Sequence, residues 1–173
     1  MERKNLYKNK RGDVTDIITF LIIVFFLATS FLVVGFTNDK LKDVITDTDI
    51  NDSIYSQSYT DAMDNITTNT LQNGFVAIFA FLIIGMMVSS FMVKIHPIFL
   101  FMYVIFLAIA SFVAVPLANA YQMLMNAETI ATVAGQQTTI NWIMEHLVLI
   151  TVGAGVISMI VTFAKLNKPA EAI

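Results

Sequence analysis

Cysteine is absent from the 173 residues, which excludes disulfides, thiolate-held iron–sulfur clusters and thiol catalysis. Charge is scarce as well. Asp, Glu, Lys and Arg make up 13% of the chain, about half the share in an ordinary globular protein. The net charge of −3 is too small to favour nucleic acid as a partner. No glycine-rich phosphate loop, nucleophile elbow, zinc-binding pair or cofactor fingerprint occurs. The expectation is a protein that is not an enzyme, takes no cofactor or metal, and has no evident small-molecule substrate. Proline is also rare, with three residues, and tryptophan occurs once.

What is abundant is apolar. Hydrophobic residues form 57% of the chain, with 14 Phe and 10 Met. A soluble domain of this length buries only part of its apolar surface, so lipid is the medium this composition calls for. Four runs are long enough to cross about 30 Å of hydrocarbon, which takes about 20 helical residues. They cover residues 17–36, 74–93, 98–118 and 147–164. The second and third are separated at 94–97 by Lys94, His96 and Pro97, read as a tight turn because proline disfavours helical geometry in the residue before it. The expected fold is all-α: a polytopic integral membrane protein with four transmembrane helices and an extramembrane helical hairpin between spans one and two.

Orientation follows from Lys and Arg near the span ends. Arg3, Lys4, Lys8, Lys10 and Arg11 precede the first span within residues 1–16, and an even span number puts Lys94, Lys165 and Lys168 on the same side. The opposite side has only Lys40 and Lys42, beside nine acidic residues between Asp39 and Glu145. Both termini, including the tail at 165–173, are therefore expected on the cytoplasmic side or its topological equivalent. A cleaved signal peptide is disfavoured by the length of the first apolar run and the lack of a small-residue cleavage pattern. A prepilin-like leader at Lys10-Arg11-Gly12 lacks the expected Glu, Ile17 standing in its place.

Residues 37–73 are acidic and polar. Leu41, Val44 and Ile45 extend a helical stripe past span one, and Tyr55, Tyr59, Met63, Ile66 and Thr70 recur at helical steps. This spacing predicts a projecting helical hairpin, with a disordered loop as the alternative. Asp47-x-Asp49-x-Asn51 has the alternating oxygens that open a calcium loop, but Asp52 and Ser58 stand where Gly and the closing Glu belong, so an acidic turn is the better reading. Asn51-Asp52-Ser53 and Asn65-Ile66-Thr67 are formal glycosylation sequons. Residues 119–146 form a second, semi-apolar segment, read as interfacial or dipping between helices, with Gly135 breaking it into two short pieces. Trp142 lies at the headgroup level such rings favour.

Ionisable groups at mid-membrane depth are the usual markers of transport or proton relay, and none falls mid-span here. Asp13 and Asp16 suit a helix N-terminus. Glu145 and His146 point about 100° apart on a helix, so they do not converge on one ligand. Gly85 and Ser89 in span two, and Gly153, Ala154, Gly155 and Ser158 in span four, are candidate helix-packing residues, since close backbone approach holds helices together in lipid. Pro116 is expected to end or kink span three, with Asn119 answering the freed backbone groups. Thr29, Ser30, Ser89, Ser90, Ser111 and Thr151 would line a thin polar path, although hydroxyls in such helices more often bond their own preceding turn.

The short basic start Lys8-Asn9-Lys10-Arg11-Gly12-Asp13, followed by apolar spans without enzyme or transport motifs, resembles the small multi-pass proteins in the internal membrane of icosahedral lipid-containing viruses and phages. The resemblance is one of layout across the whole chain, and no functional residues carry over. It implies a virion membrane component that shapes the vesicle and contacts capsid proteins. The expected function is structural: packing in the bilayer against copies of itself, as a homo-oligomer, or against other membrane or capsid proteins. The alternatives are a small pore-forming, holin-like or transport protein, or an accessory subunit of an envelope complex.

Overall fold

Long stretches of Leu, Ile, Phe, Val and Ala favour helices because an apolar surrounding forces each backbone N–H and C=O to find its partner within the segment. In the computed structural model, residues 15–48, 53–92 and 97–166 are described, and every regular element among them is helical. In chain order these are α1 (Thr15–Thr46), α2 (Ile54–Asn65), a π-helical turn (Ile66–Thr70), α3 (Leu71–Met92), α4 (Pro97–Met125), α5 (Ala131–Gln136), α6 (Thr138–Glu145) and α7 (Leu147–Leu166). The segments Ile17–Thr46, Ile54–Val88 and Phe101–Met125 contain helix long and apolar enough to cross a membrane. A fourth is reached if α6 and α7, bent by 66° at His146, count as one span.

The first, third, fourth and seventh helices form a bundle, with α5 and α6 wedged against its end. Its core is built by pairing large rings with small residues. Phe20 lies 5.8 Å from Phe79, which stacks on Phe75 at 6.0 Å, and Phe31 meets Phe75 edge-on at 6.1 Å. Ala110, Ala114 and Ala118 of α4 and Ala154 of α7 are buried, and such small side chains let helix backbones come close. Hydroxyls in the helices mostly turn back on their own chain: Thr151 donates to the Leu147 carbonyl, Ser111 to Leu107 and Thr37 to Val33.

Three local features differ from the pattern expected of the sequence. The packed face of α2 is Ser56, Met63 and, in the π turn, Thr67, while Tyr55, Tyr59 and Ile66 are exposed. The inward stripe is therefore set one residue away from the tyrosine stripe at its start, because small hydroxyl residues let α2 lie close to α1. Lys42 Nζ then reaches both Asp64 carboxylate oxygens, at 2.6 and 2.7 Å. Secondly, of the end or kink expected at Pro116, the end does not occur: α4 runs on to Met125. Thirdly, the break in the second polar segment falls at Gln137, with φ −95° and ψ 51°, whereas Gly135 is an ordinary helical residue of α5.

Candidate functional site

The break between α5 and α6 leaves backbone groups that need partners, since each helix end exposes unsatisfied N–H or C=O groups. Two amide side chains, Gln72 and Asn141, supply them. Gln72 of α3, buried, donates from Nε2 to the Gln136 carbonyl at 2.8 Å, at the end of α5. Its Oε1 accepts from the Thr139 backbone N–H at 2.9 Å, at the start of α6. One side chain thus caps two successive helices. Asn141 donates to the Ala134 carbonyl at 2.6 Å and accepts from the Tyr121 hydroxyl of α4 at 2.9 Å.

Gln137 is fully buried and donates from Nε2 to the Phe31 carbonyl of α1 at 3.0 Å. Gly35 makes that approach feasible. A Cβ placed on it would lie 2.5 Å from Gln137 Nε2, 2.8 Å from Val133 Cγ1 and 3.4 Å from Thr67 Cγ2. The π turn contributes here, because its extra residue shifts the helical register where Thr67 faces Gly35. The set of amides, hydroxyls and one phenol is suited to holding backbone in place. With the phenol aside, none of these groups titrates in the ordinary pH range.

Among the described residues, four buried side-chain polar atoms have no hydrogen-bond partner: Thr29 Oγ1, Tyr103 Oη, Gln137 Oε1 and Ser158 Oγ. Tyr103 and Ser158 lie near each other across α4 and α7 without closing to hydrogen-bond geometry. Among the described residues, no three His, Asp or Glu side chains gather as a metal would require.

The residues singled out from sequence are distributed unevenly around this site. Ala154, Gly155 and Ser158 face the interior, and Gly155 abuts the Leu107 side chain. Gly85 and Gly153 face open space, with nothing within 4 Å of an added Cβ. Ser89 is helical, its side chain outside the description. Trp142 is exposed and stacks on His146 with centroids 4.6 Å apart, beside the bend between α6 and α7. Asn65 is exposed, whereas Thr67 of the same sequon is buried. Arg3, Lys4, Lys8, Lys10, Arg11, Lys94 and Lys168, with Asp13, Asp49, Asn51 and Asp52, lie outside the described residues, as does the side chain of Lys165.

Gln72, Gln137, Asn141, Tyr121 and Gly35 were not marked by any motif. The available signal was the run Gln136-Gln137-Thr138-Thr139 between apolar stretches, together with a glycine inside an otherwise bulky span.

No family model, curated protein or solved structure matches this chain. Its class therefore rests on fold and site alone: an all-helical chain with three, or up to four, candidate membrane-crossing helices and an amide-fastened broken helix at one end of the bundle.

Proposed function

We propose that this is a four-span integral membrane protein with both termini on the cytoplasmic or equivalent side, acting as a structural component that packs against copies of itself or partner proteins. The observation that carries the reading is a filled interior inside an apolar exterior. Phe26, Phe81, Phe101, Phe112, Leu149 and Ile160 point outward, while Phe20, Leu21, Val24, Phe75 and Leu147 fill the centre. Exposed apolar surface on this scale needs lipid or another protein to cover it. The polar groups at the α5–α6 break are spent largely on internal hydrogen bonds, which suits a rigid element more than a moving gate. The side bias of Lys and Arg supports the orientation. The layout resemblance to virion inner-membrane proteins suggests the assembly: a membrane vesicle under a protein shell.

Solubilisation of the native membrane in mild detergent, followed by stoichiometry measurement, tests this reading. Co-purification in fixed ratio with an assembly is expected. Recovery solely as a lone monomer would sink the structural role, and steady conductance of the purified protein in planar bilayers would transfer the case to a pore.

A further inference from the structure

α1 and α3 run antiparallel, since Phe20 meets Phe79 whereas Phe31, further along α1, meets Phe75. The start of α1 and the end of α3 therefore lie at one face of the bundle. Close to that face the two helices part around a hollow of about 240 Å³. Phe20 and Met86 are buried beside it, while Ile23 and Phe81 stand exposed along it, at 41% and 74%. Gly85 keeps it open, with nothing within 4 Å of an added Cβ. Thr19 carries the one hydroxyl in the lining. It sits four residues into α1, about 6 Å along the helix.

Both helices belong to candidate spans, and the inference rests on the membrane reading of the protein. Near the start of a span, hydrocarbon gives way to the ester and headgroup layer. A hollow at that level opens onto lipid, and the exposed side chains flanking it make a slot for a single acyl chain. The headgroup of that lipid lies at the face where the sequence concentrates cations. Covalent reach alone keeps Lys94 within about 8 Å of Met92, and Arg11 within about 15 Å of Thr15. With Arg3, Lys4, Lys8 and Lys10 they make six cations, against Glu2, Asp13 and Asp16.

We propose that the α1–α3 hollow binds one anionic glycerophospholipid, with an acyl chain lying past Gly85 between Ile23 and Phe81. The Thr19 hydroxyl donates to an ester carbonyl, and the phosphate lies at the cationic face. Each part of the lipid meets matching chemistry. The apolar lining takes the chain, a hydroxyl stands at the level of the esters, and the excess of positive charge at the headgroup level favours an anionic lipid over a zwitterionic one. Gly85 then serves to admit lipid, and its lack of a neighbour within the chain has a reason.

The full chain, purified in mild detergent with equal amounts of phosphatidylglycerol and phosphatidylcholine, tests this by native mass spectrometry. One phosphatidylglycerol should be retained per chain, in about tenfold excess over phosphatidylcholine, a preference that one or two cations near the headgroup supply. Gly85→Leu fills the hollow and should abolish the retention. Gly153→Leu, at a glycine of α7 with equally open surroundings, should leave it unchanged. The same result in both variants would overturn the site and leave the membrane reading intact. Bromine quenching reads the site in vesicles. Phe81→Trp, in a chain that also carries Trp142→Phe, should be quenched more by brominated phosphatidylglycerol than by brominated phosphatidylcholine, and Gly85→Leu should remove the difference. Equal quenching by the two lipids would overturn the anionic headgroup. A dimer that Gly85→Leu dissolves, with no lipid retained by the parent chain, would give the hollow to a second copy instead. A chain folded and monodisperse in plain buffer would sink the membrane reading itself.

Discussion

Gly35 and Gln137, 102 residues apart in sequence, are in such close contact that the first cannot carry a side chain while the second keeps its hydrogen bond to the Phe31 carbonyl. The fully buried glutamine occupies space that any other residue at position 35 would claim, and its position is set by α5 and α6 rather than by α1. Gly35→Ala should therefore lower stability by about 1–3 kcal/mol, the usual range for overpacking a filled site. Denaturant titration in mixed micelles measures it. A neutral result would mean that α1 does not approach Gln137 this closely.

Gln72 and Gln137 should respond differently to losing their amides. Gln72→Leu strips partners from the Gln136 carbonyl and the Thr139 N–H, and leaving buried groups unpartnered costs about 1–3 kcal/mol. Gln137→Met removes one hydrogen bond but also removes the unpartnered Oε1, so its loss should be smaller. Amide exchange at Thr139 should accelerate in Gln72→Leu and stay slow in Gln137→Met. The reverse order would discard the capping role.

Glycines of the same helix should behave oppositely. Gly153 has open space around it, whereas Gly155 abuts Leu107. Alanine at 153 should stabilise α7 by about 0.5–1 kcal/mol through reduced backbone entropy loss. Alanine at 155 should destabilise, and Leu107→Ala in the same chain should relieve part of the loss. Thermal unfolding of the four proteins reads this ranking; equal effects at 153 and 155 would contradict the described packing.

The Lys42–Asp64 pair joins α1 to α2 at 2.6 Å, but the side chains retain 32% and 48% exposure. Water and salt screen such a pair, so a double-mutant cycle should give a coupling below about 1 kcal/mol. Raising ionic strength from low to about 1 M, where the Debye length falls to about 3 Å, should shrink it further. Coupling above that range, unaffected by salt, would indicate a drier contact.

Much of the helical layout is legible in the residue order, because uninterrupted apolar runs have one local solution. The stripe Leu41, Val44 and Ile45 predicts continuation of α1, and the helix extends to Thr46. The facing of α2 is not legible this way. Periodicity groups Tyr55 and Tyr59 with Met63, but which stripe turns inward depends on the shape of α1 opposite. The helix through Pro116 is a similar case. Proline removes one hydrogen bond, and whether the chain stops there depends on surroundings that local sequence does not describe. The amide fastening is least legible of all, since Gln72 and Gln137 are separated by 65 positions and have no spacing rule to connect them.

Residue order alone determined the all-helical class, the candidate spans and the side bias of charge, since these depend on hydration energies that each segment carries independently. Tertiary structure decided which glycines are crowded, which hydroxyl stripe of α2 turns inward and which amides close the α5–α6 break. Those outcomes are set by steric fit and directional hydrogen bonds between distant segments, and such terms exist only once the helices are side by side.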